Sequence, residues 1–230
     1  MTPYAYDFDW MIRRALIQRW RPFLQPQGAS LEVGCYMGEM TGLLLEELGQ
    51  LDVAEMNPEW ANTVAERHGD KVNIIIGKVE DLLTPKRYEQ IFLVHTLEHI
   101  DNPVEVLRAL GQLLTPTGLL FVAVPNALAL SRQIAVSMGL ISHCEAVTEA
   151  EKVHGHRRTY TQHTLNVDLE AAGLVCRSQG GVILKTLSNG QFDRALAGDI
   201  VSKEYVTACD QLSQKYPEMA ASVYGVCGKA

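Results

Sequence analysis

The chain has 230 residues, 47% of them hydrophobic, enough for one well-buried globular domain and too many for a disordered segment. A formal net charge of −7 offers no electrostatic footprint for a nucleic-acid track, so no nucleic-acid partner is expected. The five cysteines (35, 144, 176, 209 and 227) are scattered without Cys-x-x-Cys spacing, which argues against a disulfide scaffold or a thiolate zinc site.

No apolar run approaches the ~20 residues that span a bilayer. Met1-Thr2-Pro3-Tyr4 opens no secretory signal pattern. The expectation is a cytoplasmic protein that does not insert into membranes.

Residues 7–24 carry Phe8, Met11, Ile12, Leu16, Trp20 and Phe23 at helical spacing, stopped by Pro22 and Pro26. Residues 1–27 therefore read as an N-terminal helical cap lying across the core or its cleft. From Ala29 onward the pattern alternates. Strands are expected at 29–34, 51–56, 72–77, 89–95 and 118–124, with helices at 38–48, 58–68 and 103–114 and a short turn near 79–84. Such alternation implies right-handed βαβ crossovers and a mostly parallel sheet, and runs such as Asn73-Ile74-Ile75-Ile76 suit strands buried on both faces.

After Pro125 the alternation breaks, and residues 126–160 read as a partly helical, substrate-side insertion or lid, with one helix around 131–136. Thr161 then caps a helix to Ala172, and Gly173-Leu174-Val175-Cys176 opens a strand. One or two helices within 189–215 and a last strand at 220–227 complete a single domain over 1–230.

The segment Leu31-Glu32-Val33-Gly34-Cys35-Tyr36-Met37-Gly38-Glu39 is a glycine turn between a strand and a helix. Such a turn lets a ligand approach the backbone at the carboxyl edge of a parallel sheet, and it is equally common as plain turn chemistry. A dinucleotide site would want Gly-x-Gly-x-x-Gly, but Tyr36 and Glu39 stand at the second and third glycine positions. Glu32 would repel a diphosphate and suits an ammonium group. An NAD oxidoreductase is therefore disfavoured, and a cationic, amino-acid-bearing ligand fits better.

Further strand ends fall in a matching order. Glu55 lies about twenty residues past the turn, where a carboxylate accepts hydrogen bonds from ribose hydroxyls. Ile76-Gly77-Lys78-Val79-Glu80-Asp81 ends the third strand, and the fourth runs into His95-Thr96-Leu97-Glu98-His99-Ile100-Asp101-Asn102-Pro103.

With these residues the chain resembles the class I S-adenosylmethionine-dependent methyltransferases, within the group carrying a Leu-Glu-His-x-x-x-Pro signature. That group includes ubiquinone-biosynthesis O-methyltransferases and small-molecule and sugar methyltransferases. The resemblance covers about residues 28–178, including His154-Gly155-His156-Arg157-Arg158-Thr159-Tyr160-Thr161. It implies a Rossmann-like, doubly wound α/β sheet of seven strands, the last antiparallel, with an N-terminal helix and a helical insertion after strand five. It further implies that Glu32, Gly34, Cys35, Tyr36 and Gly38 hold the methionine moiety of S-adenosylmethionine. Glu55 would hold the ribose, Met56 one adenine face, Val79 and Glu80 the adenine edge, and His95 would stand beside the methyl group. The chain departs from the group at Tyr36, usually glycine, and at Lys78, usually aspartate.

Methyl transfer from a sulfonium is an in-line displacement, so the protein orients a nucleophile about 3 Å from the methyl carbon and removes its proton. A hydroxyl needs that base more than an amine does. Four of the seven histidines (95, 99, 154 and 156) fall in two segments expected to converge. His95 is the first choice of base, then His156, with His99 a further catalytic candidate; Glu98 and His99 also suit a purely structural turn.

A metal reading competes, because small-RNA 2′-O-methyltransferases of similar fold bind a divalent ion through Glu-x-x-Glu-His and a later histidine. His95, Glu98, His99 and His156 resemble that set, which suits zinc, iron or manganese, although no metal is the favoured reading. Asn126, Arg132, His143, Arg157, Arg158 and Tyr160 in the insertion suit an anionic or sugar-like small-molecule acceptor. The leading expectation is O-methylation of a small metabolite or sugar. N-methylation, metal-assisted O-methylation and a noncatalytic S-adenosylmethionine-binding partner protein are the alternatives, and a homodimer is compatible with each.

Overall fold

The computed structural model describes residues 7–79 and 86–230. Seven strands form one sheet: β1 (Ser30–Val33), β2 (Leu51–Glu55), β3 (Val72–Ile76), β4 (Tyr88–Val94), β5 (Leu114–Pro125), β6 (Leu174–Val182) and β7 (Ser222–Lys229). Their order is β3-β2-β1-β4-β5-β7-β6. β1 pairs in parallel with both β2 and β4, so the strand order reverses around it, and a crevice opens above its carboxyl end. β7 runs antiparallel to β5 and β6, the one strand reversed, as the resemblance implies.

The helices follow the expected alternation: α1 (Asp7–Trp20), α2 (Glu39–Leu48), α3 (Pro58–His68), α4 (Pro103–Leu113), α5 (Leu130–Ser137), α6 (Glu149–Val153), α7 (Gln162–Ala171), α8 (Asn189–Ala197) and α9 (Lys203–Ser213). Local chemistry explains their starts. The Asn57 side chain accepts the Glu59 amide ahead of Pro58, and Thr161 forms a capping box with Thr164. Pro22 closes α1 into a short 3₁₀ turn, Arg21–Phe23.

Each face of the sheet carries its own core. On one face α1 buries Phe8, Ile12, Leu16 and Trp20 against the sheet, with the Trp20 ring 5.5 Å from Phe121 and Phe92 stacked on Phe121 at 4.8 Å. On the other, Leu107 and Leu110 of α4 and Leu165 and Leu169 of α7 meet Ile91, Leu120 and Val122. Removing a buried aromatic such as Trp20 costs about 3–5 kcal/mol. The cap helix is therefore integral to the core, and α8 anchors its start: Asp193 accepts the Phe8 amide at 2.9 Å, and Phe192 meets the Phe8 ring at 4.6 Å.

Two expectations are corrected. β3 is an edge strand and is only half-buried, with Ile76 55% exposed, so its isoleucine run does not mark burial on both faces. β5 begins at Leu114, four residues early, because α4 passes into the strand without an intervening loop. The turn near 79–84 lies almost wholly outside the described residues. The insertion holds α5 and α6, and a bridge between Asn126 and Tyr160 closes its neck.

Candidate active site

The glycine loop sits at the end of β1. Gly34 has φ of 76° and Gly38 φ of 85°, in the left-handed region where side chains are disfavoured. A Cβ on Gly34 would lie 2.7 Å from the Thr96 side chain, so glycine is required there twice over. Tyr36 adopts φ of 49°, which for a non-glycine stores roughly 1 kcal/mol of strain. Two contacts hold it: its amide donates to a Glu55 carboxylate oxygen at 3.2 Å, and its ring stands edge-on to Trp60 of α3 at 4.8 Å. The Tyr36 ring is thus packed on the α3 side of the loop.

Glu55 is buried at the end of β2, and its other oxygen accepts the Asn57 amide at 2.9 Å. Backbone donors from two elements aim this carboxylate beside the loop. Buried Cys35 lies with its sulfur 3.7 Å from Glu55, and burial pushes its thiol far above the usual range, so it is inert packing. Met56, directly beyond, is 64% exposed, an apolar surface fit to cover a flat ring. Val79 is half-buried on the neighbouring strand end; Glu80 lies outside the described residues.

Glu32 is 2% exposed inside β1 and accepts the Thr41 hydroxyl at 2.6 Å. Burial drives its carboxyl up to about 8, opposed by the Thr41 bond and by the charge of Arg13. Burial leaves this carboxyl largely protonated at neutral pH, and a cation placed beside it would favour the ionised form. Arg13 projects from α1 so that its charge acts on both Glu32 and His95. Sequence reasoning misses Arg13, because one arginine on an amphipathic helix looks like any solvated position.

His95 terminates β4 with φ of 49°, a second non-glycine residue held in the left-handed region at this edge. Its amide donates to Ala123 of β5 at 2.9 Å, and its Nε2 lies 2.9 Å from the Ser222 hydroxyl at the start of β7. Burial, with Arg13, His156, His99 and Lys185 adding repulsion, pushes the imidazole down to about 3. It is neutral at physiological pH.

The remaining histidines converge as expected. The turn Leu97–His99 places the His99 ring 4.7 Å from the His156 ring, edge to face, and His99 Nε2 3.9 Å from Glu98. Burial lowers His99, and it lowers His156 to about 4. Glu98 is 1% exposed, neither carboxylate oxygen finds a hydrogen bond among the described residues, and burial raises it to about 8. One ligand atom each from Glu98, His99 and His156 lies within 4.8 Å of the others. His95 is absent from this triad, which corrects the four-residue set, because its Nε2 is turned to Ser222.

The insertion's polar groups are mostly consumed by structure, against the expectation that they face an acceptor. Arg132 pairs with Glu151 and bonds the Cys144 carbonyl. Arg157 binds Asp101 and the His99 carbonyl, and Arg158 the carbonyls of Ile100 and Asp101, docking the insertion onto the Leu97–His99 turn. Asn126 spends its amide on the Glu218 and Ala220 carbonyls, and the Tyr160 hydroxyl donates to Asp168. A cavity of about 20 Å³ remains among Glu98, Asn126, Arg132, Glu151, His156 and Arg158. A larger one, about 560 Å³, opens at the opposite, amino edge of the sheet near Gly28, Leu51 and Lys86, away from every group described above.

Residues 10–179 match a family model described as a methyltransferase domain. A ubiquinone biosynthesis O-methyltransferase of Aeromonas salmonicida is 32% identical over 108 residues, covering 46% of this chain and 43% of that protein. The chain spans about half or less of the length of the curated relatives it matches. Among solved structures, an S-adenosylmethionine-dependent methyltransferase of Thermotoga maritima superposes with a TM-score of 0.66 at 16% identity, covering 97% of this chain and 90% of that one. An N-methyltransferase of Bradyrhizobium japonicum in complex with S-adenosylhomocysteine gives a TM-score of 0.61 at 11% identity, covering 98% and 89%. At these identities the structural likeness speaks for the fold. Among the described residues no helix is long and apolar enough to cross a membrane.

Proposed function

The chain belongs to the methyltransferase-domain family of class I S-adenosylmethionine-dependent enzymes, and from that premise we propose that it methylates a hydroxyl of a small metabolite or sugar, with His95 as general base. The observation that carries the reading is a neutral imidazole at the end of β4, beside the crevice, with one ring nitrogen on Ser222 and the other without a hydrogen bond among the described residues.

The cofactor's amino-acid tail is a zwitterion and needs both charges answered. Glu32 supplies the anion for the ammonium, and Arg13 the cation for the carboxylate. Both are then neutralised by one ligand, which removes the cost of leaving Glu32 buried and unpaired. Glu55, already oriented by two backbone amides, accepts the ribose hydroxyls, and Met56 covers one face of the adenine.

In the transfer step the acceptor oxygen attacks the methyl carbon as its proton passes to His95. The carbon–sulfur electron pair returns to sulfur, so the sulfonium becomes a neutral thioether while the imidazole becomes cationic. Positive charge moves within the site without changing in amount. Burial and neighbouring charges already keep His95 neutral; a bound sulfonium would add to that repulsion, and its conversion to a thioether would relieve the added part as the proton arrives.

One observation favours a metal-assisted variant: the buried Glu98 carboxyl, with no hydrogen bond among the described residues, is grouped with His99 and His156. A carboxylate and two imidazoles fit zinc, iron or manganese, and such an ion would polarise an acceptor hydroxyl. Arg132 and Arg158 line the same cavity and oppose a divalent charge, so the metal-free reading leads.

Carbon-13 methyl S-adenosylmethionine incubated with fractionated small-molecule extract tests the function, since the product's methyl shift separates oxygen from nitrogen acceptors. Label on oxygen, lost in His95→Asn, is the expected result. Label on nitrogen, or His95→Asn turning over at the wild-type rate, overturns it. Cobalt(II) titration followed by visible absorption tests the metal variant: stoichiometric d–d bands abolished by Glu98→Gln would support it, and their absence removes it.

A further inference from the structure

The reading of His95 as a base leaves open which of its ring nitrogens does the work and what selects it. We propose that Ser222 is the positioning residue that fixes the His95 tautomer, holding hydrogen on Nε2 so that Nδ1 is the atom that takes the acceptor's proton. The inference rests on the base assignment above and adds a residue that no sequence motif marks.

The geometry follows from the strand order. β4 and β7 are separated by β5, so the His95 side chain must cross the end of an intervening strand to reach Ser222, two strand spacings of roughly 4.8 Å away. The left-handed backbone at His95 turns the side chain out of the ordinary pleat and lets it lean that way. The strain stored there is met by the 2.9 Å contact between Nε2 and the Ser222 hydroxyl.

Ser222 is held on both sides. It is 1% exposed, in register with Pro125 of β5 and Val182 of β6. The preceding residue, Ala221, donates its amide to Ile183 and accepts that of Asn126, whose side chain clamps the Glu218 and Ala220 carbonyls. The backbone that carries the Ser222 hydroxyl is thereby held in place beside the ring.

The chemistry selects the donor. With Nε2 engaged by Ser222, Nδ1 alone remains for the acceptor. Nδ1 can take a proton only if the hydrogen of the neutral ring sits on Nε2 and is donated to the serine oxygen. During transfer the acceptor's O–H bond breaks, the O–CH₃ bond forms, the S–CH₃ pair returns to sulfur, and the proton ends on Nδ1. The Nε2–H···O bond then becomes charge-assisted, so it is stronger in the transition state than in the ground state. Ser222 therefore acts on turnover more than on cofactor binding.

The test uses the full chain bound to S-adenosylhomocysteine, with nitrogen-15 histidine, and reads the His95 tautomer from long-range proton–nitrogen correlations. Wild type should show the Nε2–H tautomer. Ser222→Ala should yield a mixture or the Nδ1–H form, with kcat lowered about tenfold and the KM for S-adenosylmethionine unchanged, and Ser222→Thr should restore both. An Nδ1–H ring in wild type, or a tautomer unchanged by Ser222→Ala, overturns the proposal. A tautomer that behaves as stated while His95→Asn turns over normally overturns the base assignment instead, so the two failures are distinguishable.

Discussion

Replacing Arg13 with methionine isolates the charge that we assign to the cofactor's carboxylate. Methionine keeps the length and helix propensity of the position, and Phe8, Ile12, Leu16 and Trp20, which dock α1, are untouched. A charge-assisted hydrogen bond to a ligand contributes about 1.5–3 kcal/mol, which corresponds to roughly 10- to 150-fold in Kd. A second effect acts in the same direction. Arg13 is one of the groups holding the Glu32 carboxyl down, so its loss moves Glu32 further above about 8 and weakens the ammonium contact. Calorimetry with S-adenosylhomocysteine should therefore show at least tenfold weaker binding. 5′-Deoxy-5′-methylthioadenosine, which lacks the amino-acid tail, should bind both proteins within about twofold, because it meets neither Arg13 nor Glu32. Equal weakening of the two ligands, or no weakening of either, would refute the reasoning.

Gly34→Ala should prevent cofactor binding and lower stability by about 2 kcal/mol or more in urea titration, because the new Cβ meets Thr96 at 2.7 Å with φ at 76°. Glu32 must be ionised to hold an ammonium, so kcat/KM for S-adenosylmethionine should rise with pH up to about 8, and Glu32→Gln should remove that limb. Saturating kcat should show no limb near 6.5 from His95, since that ring is already neutral above about 3. Stability should vary with pH in a defined way. Glu32 and Glu98 stay protonated in the fold up to about 8 while the unfolded chain releases those protons near 4.5, so their contribution falls as pH rises between the two. His95 and His156 resist protonation down to about 3 and about 4 against 6.5 unfolded, so their contribution grows with pH across that lower window. The effects oppose one another from 4.5 to 6.5, and the carboxylates dominate from there to about 8, where Lys185, lowered to about 8 by burial, begins to act in the opposite sense. Urea midpoints of the ligand-free protein should thus drop between pH 6.5 and 8, less so in Glu32→Gln.

The glycine turn and the strand ends around it were legible because they are local. Gly34 and Gly38 adopt left-handed conformations in the turn read between a strand and a helix, and Glu55 follows at the end of the next strand. The acceptor side was not. Arg132, Arg157 and Arg158 read as recognition groups, yet each is tied up within the insertion or to the turn beneath it. Exposure of a charge is a matter of what folds against it, and the partners here lie up to 58 residues away in sequence.

Hydrophobic periodicity and turn chemistry by themselves determined the alternating strands and helices, the glycine loop and the order of the ligand-facing strand ends, since each is set by interactions within a few residues. Only the tertiary structure decided which polar groups are left to act. The charge of Arg13 acts on Glu32 because α1 packs across one face of the sheet. Ser222 reaches His95 because β7 enters the sheet beside β5 in the reverse direction, bringing a residue 127 positions distant to hydrogen-bonding range. Long-range strand pairing, which no local pattern encodes, therefore built the half of the site to which we assign the chemistry.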